Sequence, residues 1–291
     1  MPLDTRADPA AGIRFAISAS ITTAFIHATM RWIDLDPFLI AFWRNAFCLA
    51  LVLPLVLIKG AWRSGPGALP RHAFRGIANT AAMVLLIMGL DRLPFAEATA
   101  LTFATPAFML LGSVFFLNEK PSQARWFSAL TGLLGVLVIA PPGAGWLGSG
   151  GMLILLSAAL FAMAFIIGKT QTWFASDLSI LFYLYLALTV FCTPLAASTW
   201  QWPNGTAFAA LALVALLSIL AHYSGIVALR RADASLVGLF DYLRLIWAGL
   251  IGVVVFDETP DLATVIGSSL IVAAAAIPMV FDRKRRPRRK G

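Results

Sequence analysis

Apolar residues in this chain run in long unbroken blocks, separated by short stretches where charges, prolines and glycines gather. Ten blocks stand out, at 13–33, 37–58, 72–90, 95–117, 125–140, 147–168, 177–198, 207–229, 234–256 and 262–281. Most approach the roughly 20 residues that a helix needs to cross a bilayer, and the block at 125–140 is the shortest. Strands of a membrane barrel alternate polar and apolar positions, so continuous blocks leave helices as the spanning form. The pattern predicts an all-α polytopic membrane protein with ten transmembrane helices.

Composition agrees. Of 291 residues, 60% are hydrophobic and 12% charged, with a mean hydropathy of +0.85, too little polar surface to coat a soluble globule. Basic residues test the count, because short cytoplasmic loops retain Lys and Arg. With the N-terminus inside, 18 of the 22 Lys and Arg fall in cytoplasmic segments, only Arg31 and Arg92 fall outside, and Arg44 and Arg244 lie within helices. Both termini are therefore expected in the cytoplasm. The first block is too long for a cleavable signal and has no small-residue cleavage site after it. Most of the net charge of +8 sits in the tail at 282–291, which reads as a patch for anionic lipid and not for nucleic acid. Cys48 and Cys192 lie in apolar blocks and read as small hydrophobes.

An internal repeat organises the blocks. Positions 90–121 lie over 229–260 without gaps at an offset of 139, matching Leu90, Arg92, Val114, Glu119 and Pro121 to Leu229, Arg231, Val253, Glu258 and Pro260. Pro54 and Leu55 answer Pro194 and Leu195, and Gly132 answers Gly267. The division is a segment at 1–12, a five-helix half at 13–140, a second at 141–281 and the basic tail. Five is odd, so the second half enters the membrane from the opposite side, giving inverted repeats around a central cavity. Thr131/Gly135, Ala248/Gly252 and Ser269/Ala273 place small residues four apart for close helix approach. Pro106, at the centre of the fourth block, is a hinge candidate or a fixed bend. Leu245 stands at its repeat position, so the halves are not expected to bend identically.

Phe42-Trp43-Arg44-Asn45, the run Leu93-Pro94-Phe95-Ala96-Glu97-Ala98 leading to Pro106 and Glu119, and Asp241-Tyr242-Leu243-Arg244 leading to Glu258 carry a likeness over almost the whole chain. With the duplication, the chain resembles the EamA type of the drug/metabolite transporter superfamily. Leu245 departs from the proline that many such proteins have there. The resemblance implies a basket of helices in a bacterial inner membrane and export of amino acids, aromatic ones among them.

Ionisable groups inside lipid are costly and therefore functional candidates. His27 and Arg44 share a depth in the outer half with Glu97 nearer the surface, while His222 and Asp241 share one in the inner half with Arg244 a turn away. Asp241 and Arg244 are three apart and pair internally or serve substrate or protons. His27 and His222 either bond a neighbouring helix or relay protons, and Arg44 either holds carbonyls or headgroups or meets the substrate. Asn79, Tyr223, Tyr242 and Trp247, with Trp43 as an alternative, offer amide, hydroxyl and ring surface for cavity walls.

Motifs for chemistry are missing. Gly168-Lys169-Thr170 looks like the end of a phosphate loop, but Met163 stands where its first glycine belongs. His27, His72 and His222 have no metal-ligand spacing. The expectation is a secondary transporter without cofactor or metal, working on a small-molecule substrate by alternating access, with protons as a candidate coupling ion. Its rivals are an uptake or exchange carrier, an intramembrane enzyme using His222 and Asp241, and a non-transporting scaffold.

Overall fold

A computed structural model describes residues 8–30, 32–62, 68–93, 95–139, 141, 143, 148–257 and 261–284. Of the positions singled out above, Arg31, Pro94, Glu258, Pro260 and the tail from 285 lie outside the described residues, as does the side chain of Glu97. The described residues form helices α1 (Pro9–Met30), α2 (Pro37–Lys59), α3 (Ala68–Leu90), α4 (Phe95–Thr102), α5 (Thr105–Leu117), α6 (Gln123–Ile139), α7 (Ser149–Gln171), α8 (Asp177–Ala197), α9 (Gly205–Arg231), α10 (Ala234–Leu239), α11 (Leu243–Phe256) and α12 (Leu262–Lys284). Among them are nine stretches long and apolar enough to cross a membrane, and Gln123–Ile139 is a shorter apolar one. The ten-block reading holds, with the fourth and ninth spans each made of two helices.

Local chemistry sets the starts. Asp36 accepts from the backbone N–H of Phe38 (2.9 Å) ahead of Pro37, and Asn204 accepts from Ala207 (2.8 Å), each satisfying a donor that a first turn leaves open. In the fourth span, Phe103 and Ala104 turn back onto the carbonyls of Ala100 and Leu101, in the tighter 3₁₀ pattern, before α5 begins. Pro106 therefore sits in the first turn of a new helix, where its missing N–H costs little, and not as a kink within one continuous helix. The Thr105 hydroxyl donates to the Thr102 carbonyl at the break (2.7 Å).

The ninth span breaks at the equivalent place without proline. A 3₁₀ turn at Phe240–Tyr242 joins α10 to α11, and Tyr242 is 139 residues after Phe103. Where Thr102 and Thr105 staple the first break, Asp241 and Arg244 bridge the second at 3.5 Å. The expected difference in bending thus fails in location, because the break does not depend on proline. Phe103 and Tyr242 meet near-parallel, with ring centroids 6.5 Å apart, so residues related by the repeat face each other across its local two-fold. Asn118 and Asp257, also 139 apart, both end their helices in the left-handed conformation (φ 53° and 52°).

Packing is reciprocal between the halves, as inversion requires. The first helix of each half lies along the third of the other, α1 on α9 and α7 on α3, while α2 meets α8 and α6 meets α12. Ser18 shares a hydrogen bond with Ser224 (3.4 Å), and Ser157, its repeat counterpart, donates to the Ala82 carbonyl (2.6 Å). Gly135 and Gly267 bring the backbones of α6 and α12 together: a Cβ on Gly135 would stand 2.7 Å from the Gly267 oxygen. Of the expected small pairs, Gly135 serves this contact, whereas Ser269 and Ala273 face outward and Gly267, Ile271 and Ala274 form the seam instead.

Tyr242 is wholly buried, and a Cβ on Gly132 would lie 2.6 Å from its ring. Gly132→Leu should cost about 1–3 kcal/mol of stability by overpacking. Gly225→Ala, where a Cβ meets nothing within 4 Å, should be neutral or stabilising. Melting of the detergent-purified protein, with Gly132→Leu/Tyr242→Ala recovering part of the loss, checks both.

Candidate functional site

The break in the ninth span leaves Arg244 and Trp247 one turn apart on α11, facing Ser20 and His27, two turns apart on α1. Trp247 Nε1 donates to Ser20 Oγ (3.1 Å), which fixes the ring. The Arg244 guanidinium lies 5.0 Å from the centre of the Phe103 ring, a cation–π distance, besides its ion pair with Asp241. His27 is exposed, yet it stands within electrostatic reach of Arg244 on α11 and Arg44 on α2.

Arg44 is part-buried on α2. Its charge reaches Tyr185 and Cys192 on α8 and His222 on α9 as well as His27. Its Nε is buried without a hydrogen-bond partner. The adjacent Asn45 is fully buried, next to Cys192 of α8. Trp247 meets Ser20 of α1, and Arg244 meets Asp241 and the Phe103 ring, at the second break.

Other expected site residues fall elsewhere. Tyr242 donates to the Ala129 carbonyl (3.3 Å) and packs against α6, so it is buried framework here and not cavity wall. Tyr223 is 43% exposed and continues the outward stripe of Leu213, Leu216 and Leu220, which turns it to lipid. Trp43 packs among Phe42, Phe47, Trp200 and Trp202 and donates to the Gln201 carbonyl (3.3 Å), plugging one end of the bundle. Asn79 donates to the Arg75 carbonyl on its own helix (3.1 Å). His222 shares a hydrogen bond with Tyr185 (2.8 Å) while Asp241 pairs with Arg244, so the residues of the supposed catalytic dyad have different partners.

Several polar devices were not anticipated from the sequence. Arg75, counted with the loop charges, is buried in α3 and donates to Gln171 Oε1 (2.9 Å), whose amide nitrogen donates to His72 Nδ1 (3.1 Å). His72 stacks on Tyr183 at 4.5 Å. Lys169 caps α9 through the Leu229 and Ala232 carbonyls, which gives the lysine of the phosphate-loop lookalike a structural task. Uncharged Gln171 and Tyr185 carry no signal in a charge count.

The end of the bundle that gathers these groups is also latched. Glu119, after α5, accepts from the N–H of Ala234 (2.7 Å) and Ser235 (3.0 Å) and from the Ser235 hydroxyl (2.6 Å), capping α10. Arg125 of α6 adds bonds to Asp233 (2.8 Å) and Ser235 (2.7 Å). Behind them α5 packs on α10 so closely that a Cβ on Gly238 would stand 2.9 Å from the Met109 sulfur. Together these contacts close this end.

The sequence profile of the EamA-like transporter family matches residues 10–140 and again 148–279. The chain belongs to this family. This EamA-like transporter is similar to the S-adenosylmethionine uptake transporter of Rickettsia felis (29% identity, 88% of this chain and 87% of that protein) and to the riboflavin transporter of Rhizobium johnstonii (28%, 94% and 92%). It is also similar to the pseudopaline exporter of Pseudomonas aeruginosa (26%, 90% and 94%). A solved crystal structure superposes with a TM-score of 0.80 over 97% of this chain and all of that one; at 21% identity it shows the fold.

In this EamA-like transporter, Glu119→Ala should remove the α10 cap at about 1–2 kcal/mol and loosen the closed end. A cysteine placed at buried Ala234 should react with a permeant maleimide several-fold faster in the Glu119→Ala background. Equal labelling in both backgrounds contradicts the latch.

Proposed function

We propose that the chain carries a small organic metabolite across the bacterial inner membrane by alternating access, with both termini cytoplasmic. The observation that carries this reading is the reciprocal packing of two inverted halves whose fourth and ninth spans break at repeat-equivalent positions, with Glu119 of one half capping α10 of the other. Broken spans are where transporters place their sites, because the freed backbone lines a cavity. In this orientation the latch is cytoplasmic.

Aromatic amino-acid export was the expectation from the sequence. The relatives are named for S-adenosylmethionine, riboflavin and pseudopaline, which favours ring-bearing or polycarboxylate metabolites as the class, with aromatic amino acids inside it. Both uptake and export names occur among them, and direction follows the gradients. Protons are the candidate coupling ion, and Asp241 is a carboxylate well inside a span through which they would act.

Proteoliposomes loaded with radiolabelled S-adenosylmethionine, riboflavin or L-tryptophan should show saturable flux for at least one. Bridging Glu119→Cys and Ser235→Cys with a short bismaleimide should bring that flux to background, while the unbridged double variant keeps a measurable fraction. Absence of saturable flux from folded protein for metabolites of every one of these classes removes the reading.

A further inference from the structure

We infer that the cavity between the ends of α7 and α9 binds the phosphate of an anionic phospholipid headgroup. The site stands apart from the transport reading above and does not depend on it. The cavity, of about 230 Å³, is lined by Lys169, Thr172 and Trp173 at the end of α7 and by Arg230, Arg231 and Asp233 at the end of α9. A site for a drug-sized molecule occupies roughly 300–1,000 Å³, so this one suits a compact polar group. Both helices are long and apolar enough to cross a membrane and both end here, which puts the cavity at the depth of the headgroups.

The lining carries three cations and one carboxylate. Arg230 is a fixed charge: it pairs with Asp177 at 2.6 Å and donates to the Thr172 and Ala175 carbonyls. Asp233 pairs with Arg125 of α6 at 2.8 Å, so the carboxylate of the lining is matched by a residue outside it. Lys169 donates to the Leu229 and Ala232 carbonyls, both neutral. An ammonium has three N–H donors, so one donor and the charge remain for an anion. Counting Asp177, Arg125 and Glu119, which caps α10 beside Asp233, four cations face three carboxylates among these described residues. An excess of one matches a phosphodiester, which carries a single negative charge, better than a phosphate dianion. Trp173 makes the source a lipid: its ring lines the cavity yet is 57% exposed, as an indole is at a membrane interface beside acyl chains. Basic pockets between the ends of spans hold headgroups by this combination of charge and depth.

The test follows binding of the first phosphatidylglycerol to the full-length, detergent-purified protein by native mass spectrometry. Lys169→Gln and Arg231→Gln should each weaken it about fivefold. Asp233→Asn, which removes the carboxylate of the lining and releases Arg125, should strengthen it. Replacing the basic residues of 283–290 by Gln should leave it unchanged, which separates the cavity from the tail. Phosphatidylcholine should bind more weakly, and sn-glycerol 3-phosphate or inorganic phosphate should not displace the lipid. Circular dichroism checks each variant; if Lys169→Gln unfolds through loss of the α9 cap, Arg231→Gln and Asp233→Asn decide. Unchanged affinity in Arg231→Gln, weaker binding in Asp233→Asn, loss of the first lipid with the neutral tail, or equal binding of phosphatidylcholine each overturns the inference. Displacement by either soluble phosphate makes the occupant a free anion and overturns it as well.

Discussion

Backbone that leaves its helix inside a membrane has no water to bond, so each freed donor and acceptor must be satisfied by protein. That constraint governs the two broken spans on which this molecule is built. At the first break the Thr105 hydroxyl supplies a donor for the Thr102 carbonyl, and at the second Asp241 and Arg244 bridge the same register. Phe103 and Tyr242 close the apolar side of the two breaks against each other. Because the breaks are held by local bonds and by packing against the other half, the halves share one seam about which they are arranged in opposite sense.

The ninth span also ties the halves together. It begins at Ala234 with an N-terminus that Glu119 of the opposite half satisfies. The bond joins the halves at one end. At α11 the chain resumes with Arg244 and Trp247 aimed at α1, which puts charge and ring surface where the span is discontinuous. Latch and site are thus two ends of one broken helix, a few turns apart.

Spans, repeat and inversion were legible in the sequence because each depends on properties that accumulate along the chain: block length, loop charge and a fixed offset. Glu119 showed itself through the repeat, but its partner is a pair of backbone amides, which no side-chain pattern encodes. Arg44 and Arg244 were marked by the cost of charge in lipid, and the contacts of Arg244 with Asp241 and the Phe103 ring depend on how the broken span turns and packs, which periodicity does not give. Tyr223 and Tyr242 misled for the converse reason: an aromatic hydroxyl inside a span looks alike whether it faces lipid, framework or cavity. Pro106 marked the first break and Leu245 hid the second, because tertiary packing around Tyr242 holds a turn that proline only favours.

The central claim is that the two ends of this bundle close in alternation about the broken spans. Pulsed electron–electron distances between spin labels at Asn118 and Asp233 on the latched end, and at Asp91 and Asp257 on the other, test it most directly in proteoliposomes. The account predicts two populations for each pair in reciprocal proportion, with short distances at one end accompanying long ones at the other and substrate shifting the balance. A single distance at each pair, unmoved by any transported metabolite, would contradict it.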